Sequence, residues 1–303
     1  MSRRQIAIAL LAAFSVAAAG AGGALASTGR ALRHTGVAAL DVAARTSTNW
    51  AGYAVDSGDP ATGAAPAAFT SVSGSWTQPA VKCPRAGTTY SAFWVGLGGF
   101  ADGSQALEQT GTEADCTLAG RARYSVWYEL VPAAPVSVKL TVRPGDAISA
   151  TVSVSGQTVS IQVTNTTRGT SFVRELTMDS PDLTSAEWIA EAPSACFGFG
   201  CSPLPLTNFG AVGFSGATVT GNDHAGTISD PAWAATALTL HGSRGASLFR
   251  SRFAVAVPVA DAIPAALSSD GSSFAVTWQQ QPATAAPARP GAPGRGSSGG
   301  GGV

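Results

Sequence analysis

Charged side chains are scarce in this chain. Only 12% of its 303 residues are Asp, Glu, Lys or Arg, about half the usual share for a soluble domain. Glycine, serine, threonine, alanine and valine dominate instead, so we expect a surface that is rich in hydroxyl groups and weakly charged. From Thr46 onward acidic residues outnumber basic ones, and a mildly acidic surface argues against a nucleic acid as partner.

Histidine is almost absent, with three in the whole sequence. His34 lies in a segment that we expect to be removed, whereas His224 and His241 lie among turn residues. No Gly-x-Ser-x-Gly sequence accompanies them, which disfavours a Ser-His-Asp triad. The sequence also has no His-Glu-x-x-His helix of a metalloprotease and no phosphate-binding loop. These absences leave carboxylates and amides as the candidate catalytic groups.

Cysteine is limited to Cys83, Cys116, Cys196 and Cys201. In an exported chain such residues form disulfides by default, and four of them allow three connectivities. We expect Cys83 to pair with Cys116 and Cys196 with Cys201. A zinc site is the alternative, but no Cys-x-x-Cys motif and no His pair at ligand spacing supports it. The sequence therefore predicts neither a metal nor another cofactor.

Long helical patterns are also hard to find. The middle of the chain consists of short runs rich in Val, Thr, Ser, Tyr and Trp, separated by Gly, Pro and Asn, which is typical of strands. The sequences VRPGD and VSGQT indicate tight turns between alternating runs. Because no strands alternate with long helices, a parallel sheet is disfavoured. We predict an all-β, antiparallel two-sheet β-sandwich of the jelly-roll type. The clearest predicted strands are in FTSVSGSWTQP, TYSAFWVGLGG, RYSVWYELVP, the long run from Val136 to Leu176, SAEWIAEAP, FGAVGFSGATVT and SSFAVTWQQ.

The first residues have the pattern of a secretory signal. Arg3 and Arg4 precede an apolar run that ends in the small-residue sequence Ala24 to Ala26, as at a signal cleavage site. A membrane anchor is the alternative, but the strongly apolar run is shorter than the ~18 to 20 residues that a span needs. We therefore expect a secreted, extracellular protein with no membrane attachment after cleavage, and nothing in the sequence indicates an obligate oligomer rather than a monomer.

Changes in composition suggest four parts. The segment before Thr46 carries three arginines and one acid, and is interpreted as a propeptide, with a flexible lead-in as the alternative. The tail is rich in Pro, Ala, Gly and Ser, lacks apolar periodicity and is expected to be disordered. The predicted parts are a signal peptide at 1–26, a propeptide at 27–46, one domain at 47–281 and the tail at 282–303.

Two glutamates in SAEWIAEAPS, Glu187 and Glu191, lie on either side of Trp188. Carboxylates among aromatic rings are candidates for a raised pKa, which suits acid and base catalysis. The alternative for each is a solvated acid on a strand face. Strand alternation alone does not distinguish the two, because residues an even number of positions apart project from the same face. The aromatic residues around them are either core or the lining of a groove for an extended polymer.

Eight sequence blocks together resemble one family. The resemblance covers about residues 47–280, and its W-V-G, Q-T-G and A-E-W-I-x-E elements are specific in combination. The blocks, in order, are TSTNWAGYAV, SVSGSWTQPAV, FWVGLGG, LEQTGTEADC, YSVWYELVP, VRPGDAISATV, TNTTRGTSF and SAEWIAEAPS. This order and spacing are similar to those of the glutamic peptidases, the eqolisins.

The resemblance implies a two-sheet sandwich similar to legume lectins, and an acid-acting endopeptidase for protein or peptide substrates. By motif, the catalytic pair of the family corresponds to Gln109 and Glu191. In that chemistry the Glu acts as general base and then as acid on a water, while the Gln amide stabilises the oxyanion. The resemblance also implies five residues that contact substrate. Four of them lie in the blocks that line or support the cleft: Trp94, Trp127, Tyr128 and Glu129. The fifth, Glu187, is a neighbour of Glu191 on the same face.

Two features depart from the family pattern. Gly98 stands where fungal members commonly have an acidic residue near the cleft, and Asp102 follows only four positions later. The segment CFGFGCSPLP, which carries Cys196 and Cys201, is expected to shape one rim of the cleft. Two other functions stay open at this point: a glycoside hydrolase that uses two of Glu129, Glu187 and Glu191, and a carbohydrate-binding module that uses aromatic residues alone.

Overall fold

The computed structural model describes residues 42–58, 66–197, 200–242 and 259–282. The predicted signal peptide, most of the predicted propeptide and the tail beyond residue 282 lie outside these ranges. Within them all regular structure is β-strand, so no helix there could cross a membrane. The strands are β1 Ala43–Ser47, β2 Trp50–Asp56, β3 Phe69–Thr77, β4 Ala92–Leu97, β5 Leu107–Cys116, β6 Ala122–Val131, β7 Val136–Val138, β8 Ala147–Ser155, β9 Thr158–Asn165, β10 Thr170–Thr177, β11 Ser185–Glu191, β12 Ser194–Phe197, β13 Gly200–Pro203, β14 Ala211–Gly221, β15 His224–Gly226, β16 Ala234–Leu240, β17 Ala260–Pro264 and β18 Phe274–Gln280.

One large sheet forms the fold. Its strand order is β10-β9-β8-β3-β14-β18-β17-β16-β2-β11-β4-β5-β6-β7, with β1 paired to β16 and β15 paired to β14. The sheet doubles over near β17. Strands β10, β9, β8, β3, β14 and β18 form one layer, and strands β16, β2, β11, β4, β5, β6 and β7 form the other. Strands β12 and β13 form a separate small sheet. The predicted all-β sandwich is thus confirmed, and its pairings are antiparallel except for β1 with β16.

The core lies between the two layers. Trp188 of β11 is fully buried, and its Nε1 donates to the carbonyl oxygen of Ser73 in β3 at 2.8 Å. Trp76 of β3 donates in the opposite direction, to Thr112 Oγ1 of β5 at 2.9 Å. Since each indole N–H is satisfied across the layers, these rings add specific alignment to their apolar burial, and truncating one to Ala would cost about 3 to 5 kcal/mol.

The layer built on β8 and β9 follows the predicted alternation. Buried and exposed side chains alternate along both strands. Gly145 and Gly156, in the two predicted turns, have φ angles of 84° and 59°, a region that residues with a Cβ rarely adopt. The chain reversals predicted from VRPGD and VSGQT are therefore confirmed.

Both expected disulfides are present. Cys83 is bonded to Cys116, and Cys196 to Cys201. The first ties the segment after β3 to the end of β5, and the second closes the β12–β13 hairpin. This connectivity is the one that we expected among the three possible.

The first strand extends across the expected end of the propeptide. Ala43–Ser47 pairs with β16 in parallel, from Ala43 opposite Thr236 to Ser47 opposite Leu240. Residues 43–46 are exposed, whereas Ser47 is buried. The last residues of the segment predicted as propeptide are thus part of the main sheet in this structure.

Candidate active site

The candidate site lies on the outer face of the second layer, which we define as the side of β2, β11, β4, β5 and β6 that points away from the core. Side chains alternate between core and outer face along these strands. The register aligns Ile189, Trp94, Gly111 and Trp127 in one row across four strands. Although this face is turned away from the core, its aromatic rings are fully buried.

Glu191 ends β11 on this outer face and is 1% exposed. Its two oxygens have different donors: Trp94 Nε1 donates to Oε2 at 2.8 Å, and Asn49 Nδ2 donates to Oε1 at 3.2 Å. Burial raises the pKa of Glu191 to about 8, while hydrogen bonds from Trp94, Asn49 and Trp50 act against that shift. A carboxyl with these opposed influences is suited to exchange a proton.

Gln109 lies on β5, also on the outer face, and is fully buried. Its Nε2 donates to Glu129 Oε2 of β6 at 2.8 Å. Its Oε1 has no hydrogen-bond partner among the described residues, and neither has Nε1 of the neighbouring Trp127. A buried acceptor and a buried donor without partners are costly, so this part of the face is suited to bind a polar group such as a peptide.

The register separates Gln109 from Glu191 by two outward positions. Gln109 aligns with Gly96 of β4, whereas Glu191 aligns with Ala92, and Trp94 lies between them. The Trp94 indole spans the interval, because its Nε1 bonds to Glu191 while its Cζ3 lies 3.0 Å from the position that a Cβ on Gly96 would occupy. The two predicted catalytic residues thus share one face, and Trp94 occupies the outward position between them.

The structure brings most of the other predicted residues to the same face, but not Tyr128. Trp127 and Glu129 point outward with Gln109, whereas Tyr128, between them, points to the core. Its ring stacks on Phe172 of β10 with centroids 5.9 Å apart. The alternation of β6 accounts for this, since adjacent residues of a strand face opposite sides.

Glu187 is the remaining acid of the predicted set. It is fully buried and aligns across Gly96 with Gln109. Burial raises its pKa well above the ordinary value, and the charges of Asp182, Glu108 and Asp56 act in the same direction. Burial also raises the pKa of Glu108 to about 8. Carboxyls at this end of the second layer, on both of its sides, therefore favour the neutral, protonated form.

The family pattern has an acidic residue where this chain has Gly98, and the acidic residue Asp182 lies beside that position. Gly98 has a φ of 80°, and a Cβ built there would lie 2.5 Å from the Cβ of Asp182. The Asp182 carboxylate accepts hydrogen bonds from Ser104 Oγ, from Thr184 N at 2.9 Å and from Thr184 Oγ1 at 2.6 Å. A side chain at 98 would displace this carboxylate, which accounts for the glycine.

Sequence reasoning missed two neighbours of Glu191. Asn49, which donates a hydrogen bond to Glu191, stands just before Trp50 in the first block of the family resemblance. Its place in that block was the only sequence signal for Asn49. Glu113 of β5 aligns with Glu191 across Ala92, and its charge adds to the raised pKa of Glu191. Its position four residues after Gln109 on a predicted strand was a usable signal, because that spacing places both on one face.

Glu113 and Asp115 form a further pair of outward acids. Ser125 Oγ donates to Glu113 Oε2 at 2.7 Å, and Ser91 N donates to Asp115 Oδ1 at 3.3 Å. Burial raises the pKa of both carboxyls, that of Asp115 to about 8 with a contribution from the Glu113 charge. Across the ranges that the structure describes, no group of three or more His, Cys, Asp or Glu is arranged to hold a metal ion.

Comparisons with known proteins concern the family and the fold of the chain. The model of the Peptidase A4 family matches residues 48–248. Among solved structures, scytalido-glutamic peptidase with a transition state analog inhibitor is similar, with a TM-score of 0.57, 22% identity, and coverage of 76% of this chain and 98% of that one. SCP-B, a member of the eqolisin family in complex with the tripeptide Ala-Ile-His, has a TM-score of 0.51, 21% identity and the same coverage. A search of the curated proteins gives no match. At these identities the two structures show a shared fold.

Proposed function

Because the chain belongs to the Peptidase A4 family, the eqolisin glutamic peptidases, and is therefore a peptide-bond hydrolase, we propose that it is an acid-acting endopeptidase with Gln109 and Glu191 as its catalytic pair. The observation that carries this proposal is the Glu191 carboxyl, which is buried and held by side-chain N–H donors of Trp94, Asn49 and Trp50. Family membership favours this function over a glycoside hydrolase or a carbohydrate-binding module.

Glu191 serves as base and then as acid. It accepts a proton from a water whose oxygen attacks the scissile carbonyl carbon, and later gives a proton to the leaving nitrogen as the C–N bond breaks. Burial favours the neutral carboxyl, but its partners Trp94 and Asn49 are N–H donors, which favour the anion. A water molecule beside Glu191 would reduce the cost of ionising this carboxyl while the donors stay in place, so the pKa would fall below its value in the dry site.

Gln109 stabilises the negative charge on the carbonyl oxygen. One N–H of its amide is held by Glu129, which leaves the second N–H for the oxyanion. A donor of this kind is worth ~2.7 to 4 kcal/mol in comparable oxyanion holes. An amide does not titrate in the acidic range, so its donor capacity does not depend on pH.

Substrate contacts complete the proposal. A protein or peptide substrate lies over the outer face, where Trp94 and Trp127 supply apolar surface and the Trp127 N–H and Gln109 Oε1 supply polar groups. Glu129 orients Gln109, and Glu187 borders the same row. The enzyme acts as a secreted monomer after loss of its signal and propeptide, and the two disulfides agree with an oxidising compartment.

The test is proteolysis of denatured casein between about pH 2 and 8. The wild type should cleave in acid and resist pepstatin and chelators. Gln109→Ala should lower kcat about 10²- to 10³-fold, and Glu191→Ala about 10²- to 10⁴-fold. The matched controls are Gln162→Ala and Glu175→Ala, two exposed residues of the opposite layer, which should keep full activity. Undiminished proteolysis by either site variant would refute the catalytic pair.

A further inference from the structure

A short turn between β1 and β2 makes an ordered set of hydrogen bonds beside the site. Ser47 and Asn49 are 6% and 5% exposed. Ser47 Oγ accepts from the backbone N of Asn49 at 3.3 Å and of Trp50 at 3.1 Å, and it donates to Asn49 Oδ1 at 3.2 Å. The hydroxyl therefore uses both its donor and its acceptor capacity within this turn.

The Asn49 amide links this turn to Glu191. Its Nδ2 donates to Glu191 Oε1 at 3.2 Å. Because Ser47 donates to Oδ1, the Oδ1 atom is turned towards Ser47 and the NH₂ group is turned towards the carboxylate. The backbone of Asn49 is fixed as well, since its carbonyl oxygen accepts from the N of Ala192, which directly follows Glu191, at 2.8 Å.

We propose that Ser47 and Asn49 are positioning residues of the reaction: Ser47 fixes the orientation of the Asn49 amide, and Asn49 holds the Glu191 carboxyl in the geometry in which it exchanges protons. This inference rests on the function proposed above and adds a role for the first residues after the predicted propeptide. The backbone of Ser47 anchors the pair, because Ser47 pairs with Leu240 and its carbonyl oxygen accepts from His241 N at 2.9 Å.

Groups on three other strands also act on Glu191. Trp94 of β4 and Trp50 of β2 donate hydrogen bonds to it. Glu113 of β5 is the group whose charge contributes to its raised pKa. Since Asn49 is a donor, its loss should raise the pKa of Glu191 further, whereas the contributions of the other groups should stay the same.

The experiment measures kcat and KM against pH with a peptide substrate taken from a mapped casein cleavage site. Asn49→Ala should lower kcat about 10- to 100-fold with little change in KM, and should move the limb on which Glu191 deprotonates up by about one to two pH units. Ser47→Ala should give a smaller change in the same direction, although Ser47 does not touch Glu191. Ser47→Thr, which keeps the hydroxyl, should restore the wild-type profile.

The control is Thr48→Ala, which removes an exposed hydroxyl between the two residues and should change nothing. A wild-type profile for Asn49→Ala would overturn the proposal, and so would a Ser47→Ala variant with a lower Tm but an unshifted pH profile. If Asn49→Ala does not fold, the comparison of Ser47→Ala with Ser47→Thr decides. An active Glu191→Ala variant would instead refute the catalytic pair itself, so the two failures are distinguishable.

Discussion

The two layers of the sandwich shift the pKa of their buried acidic side chains in opposite directions. The site-bearing layer buries Glu108, Glu187 and Glu191, and burial raises the pKa of each. The other layer has one buried acid, Asp146, among the described residues, and pairs it with Arg168 at 2.7 Å. Although burial opposes the change, hydrogen bonds from Arg168, Asn165 and Arg143 hold its pKa below the ordinary value.

The layers also differ in how their strands are covered. In β11 each of the seven side chains is buried, and in β4 each of the six, whereas β8 and β9 alternate. Both faces of β4 and β11 are therefore removed from water. An ionised carboxyl is costly in such surroundings, so this layer is best suited to acidic solution.

The largest expected effect is a loss of stability as pH rises. Glu108 and Glu191, whose pKa burial raises to about 8, hold their protons in the folded state between about pH 4.5 and 8, whereas the unfolded chain has already released them. In that window the free energy of unfolding should fall by ~1.4 kcal/mol per pH unit for each such group. Thermal unfolding followed by circular dichroism should show the highest Tm in acid. A Tm that stays level or rises from pH 5 to 8 would contradict the contrast between the layers.

A smaller effect is expected from filling a glycine of the site-bearing layer. A Cβ on Gly111 would lie 2.1 Å from the carbonyl oxygen of Phe93 and 2.6 Å from the Cβ of Trp94. Gly111→Ala should therefore cost about 3 kcal/mol, because backbone must move. Gly213→Ala in β14 is the control, since its Cβ would meet nothing within 4 Å, and it should change stability by no more than about 0.5 kcal/mol. Urea unfolding at one pH compares the two, and equal midpoints would show that the packing at Gly111 is looser than described.

Glu113 aligns with Glu191 across β4, and replacing it should shift the pH profile of the activity rather than abolish the activity. Glu113 disfavours the ionised form of Glu191, so Glu113→Gln should lower the pKa of Glu191 by up to about one unit. The limb of the kcat profile on which Glu191 deprotonates should then move to lower pH, while Glu175→Gln should leave it in place. A shift to higher pH would mean that Glu113 acts on Glu191 by some route other than its charge.

The smallest effect should come from the ion pair of the other layer. Because the pKa of Asp146 is lowered in the folded state, the stability that this group adds is present above its ordinary pKa and is lost as pH falls. Arg168→Ala should cost about 1 kcal/mol or less near neutrality and almost nothing below about pH 3. Urea midpoints at the two pH values test this, and an equal cost at both would indicate that Arg168 acts through packing instead.

The same difference in side-chain burial explains which strands could be predicted from the sequence. The β8–β9 hairpin was evident, because alternation and turn glycines occur together there. Strand β2 has the sequence WAGYAVD, with no apolar and polar alternation, since both its faces are covered. Its importance became visible only through the resemblance to a family.

For the site, the sequence motifs predicted Gln109, Glu191 and the aromatic residues around them, but not their contacts. Asn49 is 142 positions from Glu191, and no local pattern reports such a distance. Tyr128 shows the opposite case, because its membership of a cleft block suggested a substrate contact, whereas strand alternation turns its ring into the core.

The most direct test of the account is proteolysis resolved by pH, measured on the wild type and on Glu191→Gln, with Glu175→Gln as control. The Gln side chain keeps the shape of Glu191 but cannot carry a proton between water and the leaving amine. We predict cleavage by the wild type and by the control in acid, and at least a hundredfold loss for Glu191→Gln at every pH. Cleavage by Glu191→Gln at the wild-type rate would contradict the central role of this carboxyl.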